Sequence, residues 1–312
     1  MTRPLTNIAA SVRDRLRAHT RRKNGDFQLE LTRYVVERFL YRLGESAHRD
    51  RFVLKGAMLF VLWDTSAARP TKDLDLAGYW TNDAASLVKA IKDILAVPCP
   101  EDGMTFAETV TAEPIRHRSE YHGFRLVVVG HLAGAKVALQ IDVGFGDAVE
   151  PAAIFETYPV VLDAPAPRIR AYPREAAIAE KLHAMVTHGL VNTRLKDFYD
   201  VYVLSARCAF AGHRVAGAIS ATFTRRKATK LEAWPVALTS AFYEDTWRAE
   251  QWRRFLQRSK LASDAPADFA VVGERVRAFL GAPLRASQVG NPFTAVWRPA
   301  DPWQWNDASV PP

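Results

Sequence analysis

Two aspartates one residue apart, set between apolar neighbours, constrain this chain more than any other feature. They stand in KDLDLAG at residues 72–78, after the apolar run and glycine turn of FVLKGA at 52–57 and a basic loop. Residues two apart on a β-strand share a face, so Asp73 and Asp75 project side by side. Carboxylates at that spacing repel each other, and a cation between them offsets the repulsion. A second apolar stretch, IDVGFGD at 141–147, offers a third carboxylate, Asp142. Three carboxylates from neighbouring strands, with a glycine turn leading into a helix, can hold Mg²⁺ and a nucleoside triphosphate.

The rest of the composition narrows the setting. A chain of 312 residues can bury one large core or two modest ones. It contains no apolar run of membrane-spanning length, and its N-terminus has no signal-peptide core, so a cytoplasmic protein with no membrane association is expected. Cys99 and Cys208 are too few and too far apart for a disulfide framework or a zinc site. The net charge of +8 favours a polyanionic partner. Residues 1–50 carry eleven Arg or Lys against six Asp or Glu, including Arg21, Arg22 and Lys23. A second cluster is Arg225, Arg226 and Lys227. Each cluster alone also reads as a solvated helix end.

Apolar periodicity predicts helices over 8–18 and 27–43, the latter with a stripe of Phe27, Leu31, Val35, Phe39 and Leu43. A short strand over 52–54 ends at Gly56, and a helix begins at Met58. The Asp-rich strand covers 72–77 and another helix 82–95. Strands are expected over 105–111, 124–129 and 136–145, giving a mixed sheet flanked by helices. The prolines of DAPAPR at 163–168 mark a linker. Beyond it the chain reads as mostly helical, over 174–186, 194–206, 214–222, 235–258 and 266–280, before a tail without periodicity. The expected fold class is α+β. The division is a mixed-sheet domain with N-terminal helices (1–162), a helical domain completing the active site (163–285) and an irregular tail (286–312).

The order of glycine turn, Asp-x-Asp and third Asp resembles the DNA-polymerase-β-type nucleotidyltransferase superfamily. With NIAASVRDRL, YVVERFLYRL, FVLKGAMLFVLW, RPTKDLDLAG, IDVGFGD, YPREAAIAEKLHAMV and NTRLKDFYDVYVL, the chain resembles the AbiEii/AbiGii-type nucleotidyltransferase toxins over about residues 6–285. These are the toxic halves of type IV toxin–antitoxin and abortive-infection systems. Where that superfamily often has Ser after the glycine, this chain has Ala57, and its spacer to Asp73 is slightly long.

The resemblance implies a Mg-dependent enzyme transferring nucleotides from NTP to RNA, with the tRNA 3′ end as the leading acceptor and a cognate antitoxin as partner. Asp73, Asp75 and Asp142 would hold the metal, and Asp142 would also accept the proton of the attacking hydroxyl. Lys181 would face the triphosphate, and Asp197 would act near the nucleotide or acceptor. Lys55, Gly56, Ala57, Arg69, Lys72, Arg194 and Lys196 are the nucleotide-binding candidates. Backbone N–H groups at the turn can meet phosphate without help from a side-chain hydroxyl. A catalytically silent nucleotide- or RNA-binding regulator, or a protein-nucleotidylating enzyme, is the alternative. Asp147 after its glycine suits an Asx-turn, and His183 and His188 read as ordinary helix residues. Trp247, Trp252 and Phe255, beside Arg248, Arg253 and Arg254, suit either base stacking or a core.

Overall fold

The computed structural model describes residues 7–63, 69–79, 83–115, 123–227, 231, 233–261 and 263–305. The chain forms two compact units, residues 1–146 with 154–171, and residues 147–153 with 172–312.

The first unit opens with α1 (Ile8–Arg22) and α2 (Phe27–Glu45), then β1 (Phe52–Lys55). A single 3₁₀ turn, Gly56–Met58, leads into α3 (Leu59–Trp63). There follow β2 (Asp73–Gly78), α4 (Ala84–Leu95), β3 (Thr105–Phe106), β4 (Thr111–Ile115), β5 (Gly123–Leu132), β6 (Ala135–Phe145), β7 (Ile154–Thr157) and β8 (Arg168–Ala171). Asn82, where the helix before Leu95 was expected to begin, lies outside the described residues, as do residues 64–68 of the basic loop.

The strands form one mixed sheet in the order β3-β5-β6-β2-β1-β8-β7, with β4 also on β5. The pairs β2–β6 and β1–β8 are parallel and the others antiparallel. One face of the central strands is the core: Leu54, Leu74, Leu76, Leu126, Ile141 and Val143 are all buried. Against this sheet α2 packs on β6 and β8.

Asp26 starts α2 by accepting from the amides of Gln28 and Leu29, a side-chain N-cap. The expected stripe is present, but burial extends beyond it to Tyr34, Val36, Glu37, Arg38, Leu40 and Arg42. Because α2 touches α1, α4 and the sheet, its charged residues need partners inside. Arg42 forms a two-pronged pair with Asp102, at 2.5 and 3.3 Å. Glu37 accepts from the Val161 amide through both oxygens, at 3.1 and 3.0 Å. Burial pushes the Glu37 carboxyl up to about 7, against that bond and the charges of Arg33 and Arg38.

The proline-rich segment at 163–168 lies within the first unit, which continues to Ala171 rather than ending at 162. Arg38 donates to the Pro165 carbonyl, the Tyr158 amide donates to Pro167, and β8 adds a strand beside β1. Four-residue strands such as β7 and β8 are too short for an alternation to stand out, so periodicity passes over them.

The second unit contains α5 (Arg174–His188), α6 (Leu195–Arg207), β9 (Phe210–Ala211), α7 (Gly212–Arg225), α8 (Ser240–Tyr243), α9 (Thr246–Ser259), α10 (Phe269–Val289) and β10 (Val296–Trp297). The helix expected over 235–258 is divided into a 3₁₀ turn, α8 and α9, with Asp245 capping α9. The described stretch from 287 to 305 is integral to this unit. It completes α10, pairs β10 with β9, and stacks Trp303 on Phe279 with ring centroids 5.6 Å apart. Trp297 and Trp303 donate to the carbonyls of Ser205 and Phe279. Burying these large rings orders a segment that has no repeat of its own. Among the described residues, no helix is long and apolar enough to cross a membrane.

Candidate active site

Strand register assembles the arrangement in the first unit. Lys55 on β1 stands opposite Asp75 on β2, Asp75 opposite Asp142 on β6, and Asp142 opposite Arg125 on β5. Directly opposed residues share a face, so four strands present one row of charge, two adjacent carboxylates flanked by two cations: Arg125, Asp142, Asp75, Lys55. Asp73 lies two residues along β2 on that same face, exposed, and pairs in register with Gln140. The opposite face is the apolar core, so the pleat alone sends the carboxylates outward.

The glycine turn meets this row at Asp75. Gly56 has φ +73°, and a Cβ built there would lie 2.0 Å from Asp75 Oδ2. Backbone conformation and close approach both require glycine at this position. Ala57, next to it, is buried. Lys72 is exposed just before β2, and Arg69 is partly exposed at the edge of the undescribed loop.

Asp142 sits inside β6, which continues to Phe145, and not in the following turn. Arg125 grips it with two bonds, Nε to Oδ1 at 2.9 Å and Nη2 to Oδ2 at 2.8 Å. That fork favours the charged guanidinium: the Asp142 bond raises the Arg125 pKa, against a smaller opposing effect of burial. Arg125 is absent from the sequence reading. Its sequence signal was Gly134 between the two strand candidates, and the structure shows a tight turn there, with Ala133 and Gly134 both at positive φ. Counting back from that turn pairs Arg125 with Asp142.

Among the described residues, no three His, Cys, Asp or Glu side chains form a ready-made metal cage. The hard oxygens of Asp73 and Asp75 nevertheless suit Mg²⁺, which is generally bound by one or two carboxylates together with substrate phosphates and water.

The second unit holds a different arrangement. Lys181 on α5 donates to Asp200 on α6 and lies 3.6 Å from Asp197, one turn earlier. Arg194, at the start of α6, donates from Nε to Asp197 at 2.6 Å. Asp197 and Asp200 are both buried, at 1% and 0% exposure. Burial pushes the Asp197 carboxyl up, yet Lys181 and Arg194 outweigh it and hold the group below its ordinary value. Asp200 is the partner that sequence reasoning missed; its signal was the three-residue spacing in Asp-Phe-Tyr-Asp, which puts both carboxylates on one helix face. Lys196 is exposed.

Four further expectations are corrected or sharpened. Asp147 does more than a turn residue would: its oxygens accept from Arg226 at 2.9 Å and from the Tyr172 hydroxyl at 3.3 Å. Arg226 also approaches Glu180 at 3.7 Å, so this member of the second basic cluster serves ion pairs within the unit. His183 packs edge-on against Phe223, and burial, with the charges of Arg226 and His188, lowers its pKa to about 4. Trp252 is buried and bonds the Pro266 carbonyl, whereas Trp247 is half exposed.

The family model for the nucleotidyl transferase AbiEii toxin of the type IV toxin–antitoxin system matches residues 38–280. Similar solved structures include a Helicobacter pylori protein described as a candidate nucleotidyltransferase, at 14% identity and TM-score 0.44, covering 81% of this chain and 91% of that one. Another is JHP933 from the same organism, at 13% identity and TM-score 0.40, covering 81% and 88%. No curated protein sequence matches the chain. The family match takes in β1, the glycine turn, the strands bearing Asp73, Asp75 and Asp142, and helices α5 and α6, and the chain belongs to the AbiEii nucleotidyltransferase toxin family.

Proposed function

We propose that this nucleotidyltransferase moves a nucleotidyl group from an NTP to an RNA hydroxyl, with the tRNA 3′ end as the leading acceptor, in a Mg²⁺-dependent reaction. Family membership supplies the coarser part: a nucleotidyltransferase of a toxin–antitoxin system, for which an antitoxin partner and an NTP substrate follow. The observation that carries the finer part is the register placing Asp75 beside Asp142, with Asp73 on the same face and the Gly56 turn against Asp75.

In this reading Asp73 and Asp75 hold Mg²⁺, which when bound neutralises triphosphate charge and polarises the reacting phosphate. The turn at Gly56–Ala57 receives the phosphates through backbone N–H groups, with Lys55, Arg69 and Lys72 supplying positive charge beside it. The acceptor hydroxyl attacks the α-phosphorus: a new O–P bond forms, the bond to the β-phosphate oxygen breaks, and pyrophosphate leaves with the electron pair. Asp142 takes the hydroxyl proton. Arg125 fixes the Asp142 carboxylate through both oxygens and so sets its orientation. Lys181 and Asp197 act on the nucleotide or acceptor from the helical unit, as the family resemblance assigns them, with Arg194 and Lys196 as phosphate-binding candidates beside them. The reaction takes place in the cytoplasm.

Incubating the full chain with Mg²⁺, total RNA and each labelled NTP in turn tests this directly. Label in RNA of tRNA size with one or two NTPs is the expected result. Label in protein instead would replace the RNA acceptor with a protein one, and no label in either would favour a silent regulator.

A further inference from the structure

Within the helical unit, a cavity of about 300 Å³ opens between the start of α6 and one face of α9. That volume is at the lower end of the range for small-ligand clefts, about 300–1,000 Å³. Trp247, Phe255 and Arg258 line it from α9, where spacings of eight and three residues keep them near one stripe. Asn192, Arg194 and Lys196 line it from the approach to α6. Among the described residues, the lining contains no carboxylate.

Two buried donors mark this cavity as a place for a ligand. Asn192 is 2% exposed; its Oδ1 accepts from the Arg194 amide, while its Nδ2 has no hydrogen-bond partner among the described residues. Arg248, also in the lining, is pinned over the Phe242 ring and bonds the Leu190 carbonyl and Asp245, leaving its buried Nε without a partner among the described residues. An unsatisfied buried donor is costly, and a ligand acceptor removes the cost. Trp247 is 50% exposed, an indole face open at the cavity rather than committed to the core.

We infer that this cavity binds one nucleotide of the single-stranded RNA acceptor, a deepening of the proposed function that rests on its RNA acceptor. The base stacks on Trp247 and Phe255, and its edge or phosphate accepts from Asn192. Arg194, Lys196 and Arg258 neutralise the flanking phosphodiesters, the combination of stacking platform and cationic groove used for single strands. A free NTP fits less well: it arrives with Mg²⁺, which calls for carboxylate oxygens, and the described cavity wall has none. A phosphodiester needs no metal.

The test measures binding apart from transfer. Fluorescence anisotropy of a labelled single-stranded RNA 12-mer with the full chain gives its Kd over a salt series, and equilibrium dialysis gives the NTP affinity. Trp247→Ala, at an exposed position that packing does not require, should weaken RNA binding about tenfold. Arg258→Ala should weaken it less and flatten the salt dependence by about one neutralised phosphate. Neither should change NTP affinity. Unchanged RNA binding in both variants would overturn the assignment, as would a parallel loss of NTP affinity, which would make the cavity a donor-nucleotide site. A wild-type protein that binds RNA through Trp247 yet transfers no label would sustain the cavity assignment while removing the transferase reading.

Discussion

In the first unit, four strands lay Arg125, Asp142, Asp75 and Lys55 across an outward sheet face. In the second, two helices set a partly buried Lys181 against the buried Asp197 and Asp200. The sheet keeps its carboxylates at the surface, where a metal and phosphates can reach them. The helices hold theirs in the interior, where protein cations already balance them. Buried carboxylates show the contrast again. Glu37 in the first unit loses to burial and is pushed up to about 7. Asp197 in the second overcomes burial through Lys181 and Arg194 and is held down. Proximity to full charge, more than depth, decides which form of a buried acid is present.

The largest effect that sharpens this contrast should come from Gly56→Ala. The new methyl group would collide with Asp75, and a non-glycine residue at that positive φ costs about 1–2 kcal/mol by itself. Displacing the carboxylate should lower nucleotide transfer by about 10³-fold, equivalent to ~4 kcal/mol at the barrier. A steady-state assay beside a thermal melt checks it: near-wild-type transfer would mean that the turn does not set the position of Asp75.

Lys181→Met probes the other region. Removing one partner from a buried ionic group costs about 3–5 kcal/mol, so the variant should unfold at clearly lower urea than wild type. If its stability matched wild type while transfer fell, the lysine would serve the substrate and not the packing of α5 on α6.

Much of the first unit was legible because its signals are local. Alternation in KDLDL and ALQIDV fixes which residues face out, and the glycine turn is read from a single residue type. Arg125 was recoverable only by pairing strands through the Ala133-Gly134 turn, a step beyond single-strand patterning. The helical unit was less legible. Lys181 sits on one helix, Asp197 and Asp200 on another, and helical spacing does not say which charge meets which. Asp147 stands beside the β6 motif in sequence yet belongs to the second unit, paired with a residue 79 positions away. The last segment folds because Trp297 and Trp303 find Phe279, a tertiary reward invisible to periodicity.

A smaller effect concerns pH. A carboxyl whose folded pKa lies above its unfolded value stabilises fully below the unfolded value, and that contribution is lost as pH rises through the folded value. For Glu37 the window runs from 4.5 to about 7, with a loss on the order of 3 kcal/mol. Asp197 behaves in the opposite sense: its contribution is present above the ordinary carboxylate range and lost on acidification through its lowered value. Urea unfolding at pH 5 and pH 7.5 should therefore show Glu37→Gln escaping much of the wild-type loss. An equal loss in variant and wild type would place the pH sensitivity elsewhere.

The outward carboxylate row is the centre of this account, and Asp75→Asn tests it most directly because the amide keeps the shape and removes the charge. Purified variant and wild type would be compared for transfer of labelled nucleotide to RNA with Mg²⁺ present, alongside circular dichroism and thermal melting. The predicted result is loss of transfer with the fold intact, since the substitution keeps the side chain's shape and removes only the charge that would hold the metal. Transfer at the wild-type rate by a folded Asp75→Asn protein would contradict the assignment of the row as the catalytic centre.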